Sequence, residues 1–345
     1  MHLARRAWCR TYQTVFRIAL PVLPYTEPRI LEHAEEVPAV LQKRSIHHVL
    51  IVTDPGIARL GLTAPLETAL ASKGISAAVY AETCANPTVS NVEEAASLYR
   101  ESACQAIIGF GGGSAMDCAK GVGARIAQPK KPINKMRGLL RIHRRLPLLI
   151  AVPTTAGTGS EVTLAAVITD DETHYKYPIN DFVLIPRFAV HDPEFTRGLP
   201  ASITGQTGMD ALTHAVEAFI GRSTTPYTRK MRARRCSSST TICSRPMSAV
   251  ATCVRAAICF RRRIKRALPL RALMLDTSMP SRTAWAGVTG FPTAWPTPSS
   301  CRTCFAPMAK LLLPSSPISP AWPALRRLMR WTTWLLRPLS IGSTA

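Results

Sequence analysis

Apolar residues arrive in short unbroken runs through the first half of the chain. Residues 48–54 (HVLIVTD) are one such run and end in Asp, the pattern of a parallel strand buried on both faces. Residues 58–73 then show helical spacing, and residues 76–81 (SAAVYA) form a second apolar run. Residues 91–104 again carry helical spacing, with a capping start at Ser90–Asn91. Residues 105–110 (QAIIGF) predict a third strand, followed at once by GGGSAMDCAK. Residues 148–152 (LLIAV) predict a fourth, ending in PTTAGTGSEVT. Strand and helix alternate, which predicts an α/β domain with a doubly wound parallel sheet. From about Pro200 the pattern turns helical, and ALTHAVEAFI predicts an amphipathic helix.

After Arg229 neither period 2 nor period 3.6 survives, and Pro, Ser, Arg and Trp are interleaved. Composition breaks at the same place. Residues 231–345 hold 18 of the 43 Lys and Arg but one of the 21 acids, Asp276. All 8 His lie at or before His214, and no Glu follows Glu217. The net charge of +22 would ordinarily suggest nucleic acid or an anionic membrane, but most of it sits in this back segment. Cysteines before position 230 show no paired spacing, which fits a reducing cytoplasm. No run is long and apolar enough to span a membrane, and the basic N-terminus lacks the marks of a signal peptide.

Several positions suit specific chemistry. Gly112, Gly113 and Ser114 follow a strand and open a helix, which is either a tight turn or a phosphate cradle at a helix N-terminus. Asp54 at a strand end either caps the next helix or binds ribose hydroxyls. PTTAGTGSEVT supplies hydroxyls and flexible backbone after the fourth strand. Asp210 and His214 stand four residues apart on one helix face, where they either hydrogen-bond each other or share a divalent transition metal.

Taken together, GGGSxxDxxK, PTTAGTGSE and GxDALTHxxE, in this order and spacing, resemble the iron-containing (group III) alcohol dehydrogenases from about Arg10 to Arg229. The resemblance implies an N-terminal dinucleotide-binding α/β domain, a C-terminal all-helical metal domain, and an active site between them. It implies domains at 1–195 and 196–230, with 231–345 outside the native fold. It assigns Asp54 to the adenosine ribose, favouring NAD over NADP, and Asn86, Gly112, Gly113, Ser114, Thr154, Thr155, Thr158 and Lys176 to the cofactor. Asp210 and His214 become the catalytic metal ligands, for Fe2+ or alternatively Zn2+. The implied reaction is reversible hydride transfer between a small primary alcohol and NAD, in a cytoplasmic homodimer. A glycerol dehydrogenase-like or dehydroquinate synthase-like relative is the neighbouring option, against which PTTAGTGSEVT and DALTHAVE both speak.

The same resemblance calls for two further His ligands beyond His214, and the sequence contains none. Read one base out of register, Leu273 through Gly287 permits YVGYVHAIAHSLG, and Gly290 through Met308 permits GVPHGLANAVILPYVLRAY. The back third therefore reads as a frameshifted metal domain, with its junction between about Arg229 and Cys236. The expectation for the chain as written is an NAD-binding remnant without turnover. A nucleic-acid-binding role for the basic tail is the competing idea, and the tail's lack of helical phase argues against it.

Overall fold

The computed structural model describes residues 26–197, together with Thr11, Leu199, Pro200, Ile203, Thr204, Gln206, Thr207 and Asp210. Apart from those positions, the expected helical segment over 196–230, with His214, and the expected frameshifted tail over 231–345 lie outside the described residues.

Nine strands are present among the described residues: β1 (Arg29–Leu31), β2 (His48–Val52), β3 (Ser76–Tyr80), β4 (Ala106–Gly111), β5 (Gly138–Leu139), β6 (Leu148–Pro153), β7 (Ala165–Thr169), β8 (Lys176–Asn180) and β9 (Phe188–Val190). The described helices are α1 (Glu36–Gln42), α2 (Pro55–Arg59), α3 (Ala64–Ala71), α4 (Val89–Glu101), α5 (Gly113–Ala127) and α6 (Glu194–Arg197). Six strands form one sheet in the order β3-β2-β4-β6-β9-β1. Every pair in it is parallel.

The four predicted strands became β2, β3, β4 and β6. The apolar runs of β2, β4 and β6 are explained by burial on both faces, since every residue of β4 is buried, as are all of β2 after His48 and all of β6 after Leu148. β3 lies at the sheet edge and buries only Tyr80. Alternate side chains feed two separate cores. Leu50, Val52 and Ile107 meet Val92 and Tyr99 of α4 and Val122 of α5. Val49, Ile51, Ile108 and Phe110 meet Leu41 of α1 and Leu66 of α3 on the other face. Helices on both faces of a parallel sheet make the domain doubly wound, as the alternation implied.

Two helix boundaries differ from the sequence pattern. The helix expected over 58–73 is two, α2 and α3, because Gly61 turns to a left-handed φ of +63 and Pro65 starts the second helix. The helix expected from 91 begins at Val89: Thr88 is the N-cap, and Asn91 closes the capping box from inside the first turn. A second sheet, β5-β8-β7, had no counterpart in the sequence reading. It covers the outer side of α5 with Ala166, Ile168, Tyr177 and Ile179.

Candidate functional site

Strand order reverses around β2. The chain passes from β2 outward to β3, then crosses back to β4 on the other side of β2. At such a switch point the loops leaving the two strands' carboxyl ends part and open a crevice. Asp54 leaves β2 there, and Gly111–Gly112 leave β4.

Asp54 performs the capping role. Its Oδ1 accepts from the amides of Gly56 at 2.9 Å and Ile57 at 3.0 Å, closing the N-terminus of α2. Its other oxygen faces the crevice, since a Cβ built on Gly111 would lie 3.3 Å from Oδ2. Gly111 has φ +143, a conformation side chains rarely adopt, and this sharp bend turns β4 directly into α5. Gly112 is the N-cap of α5 and offers no side-chain cap, so the first-turn amides have no such partner. A Cβ on Gly113 would lie 2.8 Å from Cγ2 of Thr158, so only glycine lets this helix start approach the 154–159 loop. Ser114 donates its hydroxyl to the Ala85 carbonyl at 2.8 Å, which ties the segment carrying Asn86 to the same helix start.

The loop after β6 closes the other wall. Its first amide, Thr154 N, donates to Gly111 O at 2.9 Å. Thr155 sits 3.6 Å from where a Gly112 Cβ would be. The Oγ1 atoms of Thr154 and Thr155 are buried and have no hydrogen-bond partner. A buried hydroxyl without a partner costs about 1–3 kcal/mol, so two of them side by side suit a ligand that completes them. Lys176, at the start of β8, pairs in register with Thr169, whose amide donates to Pro87 O beside Asn86. Burial lowers the Lys176 amine.

Thus Asp54, Asn86, Gly112, Gly113, Ser114, Thr154, Thr155 and Thr158 gather at one end of the sheet, and Lys176 is linked to them through β7. Asp210 is buried. Thr207, three residues before it, approaches the loop closely enough that a Cβ on Gly157 would sit 2.6 Å from the Thr207 carbonyl.

Three features escaped the sequence reading. Lys120 is fully buried and surrounded by oxygens of residues 160–165. Asp117 accepts from Ser160 Oγ at 2.6 Å and from Val167 N at 3.0 Å. Buried Glu161 and partly buried His191 approach to 3.6 Å between Oε1 and Nε2, joining this loop to the end of β9. Asp117 and Lys120 belong to the GGGSxxDxxK motif, but an acid and a base three apart on a helix ordinarily mark a solvated face. Desolvation sets the ionisation of both, raising the Asp117 carboxyl and lowering the Lys120 amine to about 8.

The crevice fits a dinucleotide: a helix N-terminus with free amides, a glycine cradle that a Cβ would fill, an acidic oxygen at the β2 end and two orphaned hydroxyls. It does not show a metal centre. Among the described residues no group of three or more His, Cys, Asp or Glu converges.

Residues 30–193 match the family model described as iron-containing alcohol dehydrogenase. A probable alcohol dehydrogenase EutG of Salmonella typhimurium is 40% identical over 187 residues, covering 54% of this chain and 47% of the relative. The chain spans about half the length of the curated relatives it matches. A crystal structure of 1,3-propanediol oxidoreductase superposes with a TM-score of 0.70 at 26% identity, covering 91% of this chain and 87% of that one. Sulfoacetaldehyde reductase from Bifidobacterium kashiwanohense, solved in complex with NAD+, superposes with a TM-score of 0.65 at 25% identity, covering 83% and 76%.

Proposed function

From the premise that residues 30–193 make this chain a member of the iron-containing alcohol dehydrogenase family, we propose that it is built as a metal-dependent, NAD-linked alcohol dehydrogenase. The observation that carries the reading is the crevice between β2 and β4. There Asp54, Gly111–Ser114 and Thr154–Thr158 converge from three separate loops. Bound NAD supplies a nicotinamide ring that takes hydride from the carbinol carbon of a small primary alcohol and returns it to an aldehyde.

The chain's own residues do the holding. The first-turn amides of α5 receive the pyrophosphate, and the glycines let the backbone come close to it. Asp54 Oδ2 accepts from ribose hydroxyls and repels the extra phosphate of NADP. Thr154 and Thr155 direct their hydroxyls at the bound cofactor. Asn86 and Lys176 line its outer side. Asp210, with His214, is the start of the ligand set for Fe2+, or for Zn2+ in its place, at the boundary of a front domain over 1–195 and a helical segment over 196–230. Asp210 is the one described member of that set, and a single carboxylate does not hold a cation. Among the described residues no helix is long and apolar enough to cross a membrane. The described cysteines are free, which supports a cytoplasmic enzyme.

A second reading is favoured by one observation: the sequence has no His after 214. In that reading the chain holds NAD but lacks turnover, and residues 231–345 are an out-of-frame remnant of the metal domain.

Fluorescence titration of the full chain with NADH and NADPH tests both, together with assays of butanol oxidation after loading with Fe2+ or Zn2+. Saturable NADH binding, weaker NADPH binding and alcohol-dependent NADH formation support the first reading. NADH binding without turnover selects the second. No NADH binding sinks both. Asp54→Ser, which keeps a capping oxygen, should narrow the preference for NADH over NADPH.

A further inference from the structure

We propose that Lys120 is a positioning residue for the dinucleotide: buried beneath the crevice, it clamps the 154–163 loop to the helix that receives the pyrophosphate. The proposal rests on the dinucleotide reading above. Lys120 Nζ lies 2.8 Å from Ser160 O, 3.0 Å from Ser160 Oγ, 3.1 Å from Thr163 O, 2.8 Å from Thr163 Oγ1 and 2.8 Å from Ala165 O. No water is needed to satisfy this amine, and its relative exposure is 0%. Three backbone carbonyls of one segment converge on it. Without a cation among them they would repel each other and stand unsatisfied.

Asp117, one turn earlier on α5, completes the clamp. The Ser160 hydroxyl donates to Asp117 Oδ1 at 2.6 Å and lies within reach of Lys120 as acceptor, so one side chain is held from both sides. Asp117 Oδ2 takes the Val167 amide at 3.0 Å, fixing the middle of β7 to the same helix.

The location gives the network its purpose. The loop is pinned at its start by Thr154 N to Gly111 O at 2.9 Å, and at its end by Ser160. Between the pins run Thr155 and Thr158, which face Gly112 and Gly113. Gly159 bends at φ +68 just before the clamp, and Ser160 N donates to Thr158 Oγ1 at 3.3 Å. The width of the crevice at the pyrophosphate is therefore set by how firmly Ser160 and Thr163 are held to α5. Lys120 touches no ligand; it prearranges the wall that does, and prearrangement lowers the ordering cost of binding.

Lys120→Met, Ser160→Ala and the surface control Lys130→Met, each in the full chain, test this by NADH titration, thermal midpoint and hydrogen exchange. Lys120→Met and Ser160→Ala are expected to weaken NADH binding by about tenfold or more. Amide exchange should accelerate in residues 154–163 and stay unchanged in β2 and β4, while Lys130→Met behaves as the parent. A merely structural lysine would lower the midpoint but leave NADH affinity intact well below it. That result in Lys120→Met, or in Ser160→Ala if the former does not fold, overturns the proposal. A parent that fails to bind NADH overturns the dinucleotide reading itself, and this proposal with it.

Discussion

Thr154 and Thr155 are threonines whose hydroxyls have been taken out of water and given nothing in return. The backbone amide of Thr154 is satisfied, bonding to Gly111 O. Valine has nearly the shape of threonine and lacks the hydroxyl. Thr154→Val should therefore leave the ligand-free protein as stable or more so, by up to about 1 kcal/mol. It should also shrink the thermal shift produced by saturating NADH. A variant that is less stable without ligand and responds fully to NADH would show that the hydroxyl serves the fold instead. At this scale the sequence was legible where a residue type admits few roles. Gly112, Gly113 and the threonines of PTTAGTGS were visible as a glycine turn and a hydroxyl-bearing loop, and the structure brings the two together. Lys120 was not, because a lysine in a helix reads as solvated until its five oxygen neighbours, 40 to 45 positions away, are known.

Among the elements, α4 shows how a single side chain can organise a helix start. Asn91 Oδ1 accepts from Thr88 N at 3.2 Å and Cys84 N at 3.3 Å, while its Nδ2 donates to Tyr80 Oη at 3.0 Å and Glu82 O at 3.1 Å. It thereby ties the end of β3, the 82–88 loop and the first turn of α4 together, and Asn86 rides on that loop. Asn91→Ala should destabilise the domain by about 2 kcal/mol, read from the denaturation midpoint. Asn91→Asp keeps the acceptor and should recover part of the loss. A change within about 0.5 kcal/mol for the alanine variant would remove Asn91 from this role. The sequence pattern saw a cap near this place and put it two residues late, since Thr88, Ser90 and Asn91 are all capping residue types and only the backbone conformation of Thr88 decides among them. The apolar runs of β2, β4 and β6 were unambiguous because a strand buried on both faces leaves no polar position. The short pairs β1–β9 and β5–β8 were invisible, because two or three residues carry no period.

On the scale of the molecule, the described domain encloses thiols as well as a lysine. Burial pushes Cys104 up to about 11 and Cys118 to about 12, against an ordinary 9.0. A pKa that is higher in the fold than in the unfolded chain stabilises the fold fully below the unfolded value, and that contribution is lost as pH rises. Unfolding free energy of the parent minus that of Cys118→Ala should accordingly fall between pH 9.0 and about 12. At neutral pH iodoacetamide should label the exposed Cys84 and spare Cys104 and Cys118, as peptide mass spectrometry would show. Rapid labelling of Cys118 in the folded protein would contradict its enclosure between α5 and the sheet.

By itself the sequence determined the doubly wound sheet, its strands β2, β3, β4 and β6, the glycine-to-helix turn and the family motifs, since each is a local pattern that backbone geometry imposes on neighbouring residues. The tertiary structure decided where those pieces meet. It set Asp54 against Gly111, and Gly113 against Thr158. It buried Lys120 among the oxygens of Ser160, Thr163 and Ala165, and laid a second sheet over α5. Those contacts join segments tens of residues apart, and a charge can be left inside a protein only once its partners from elsewhere in the chain have been brought to it.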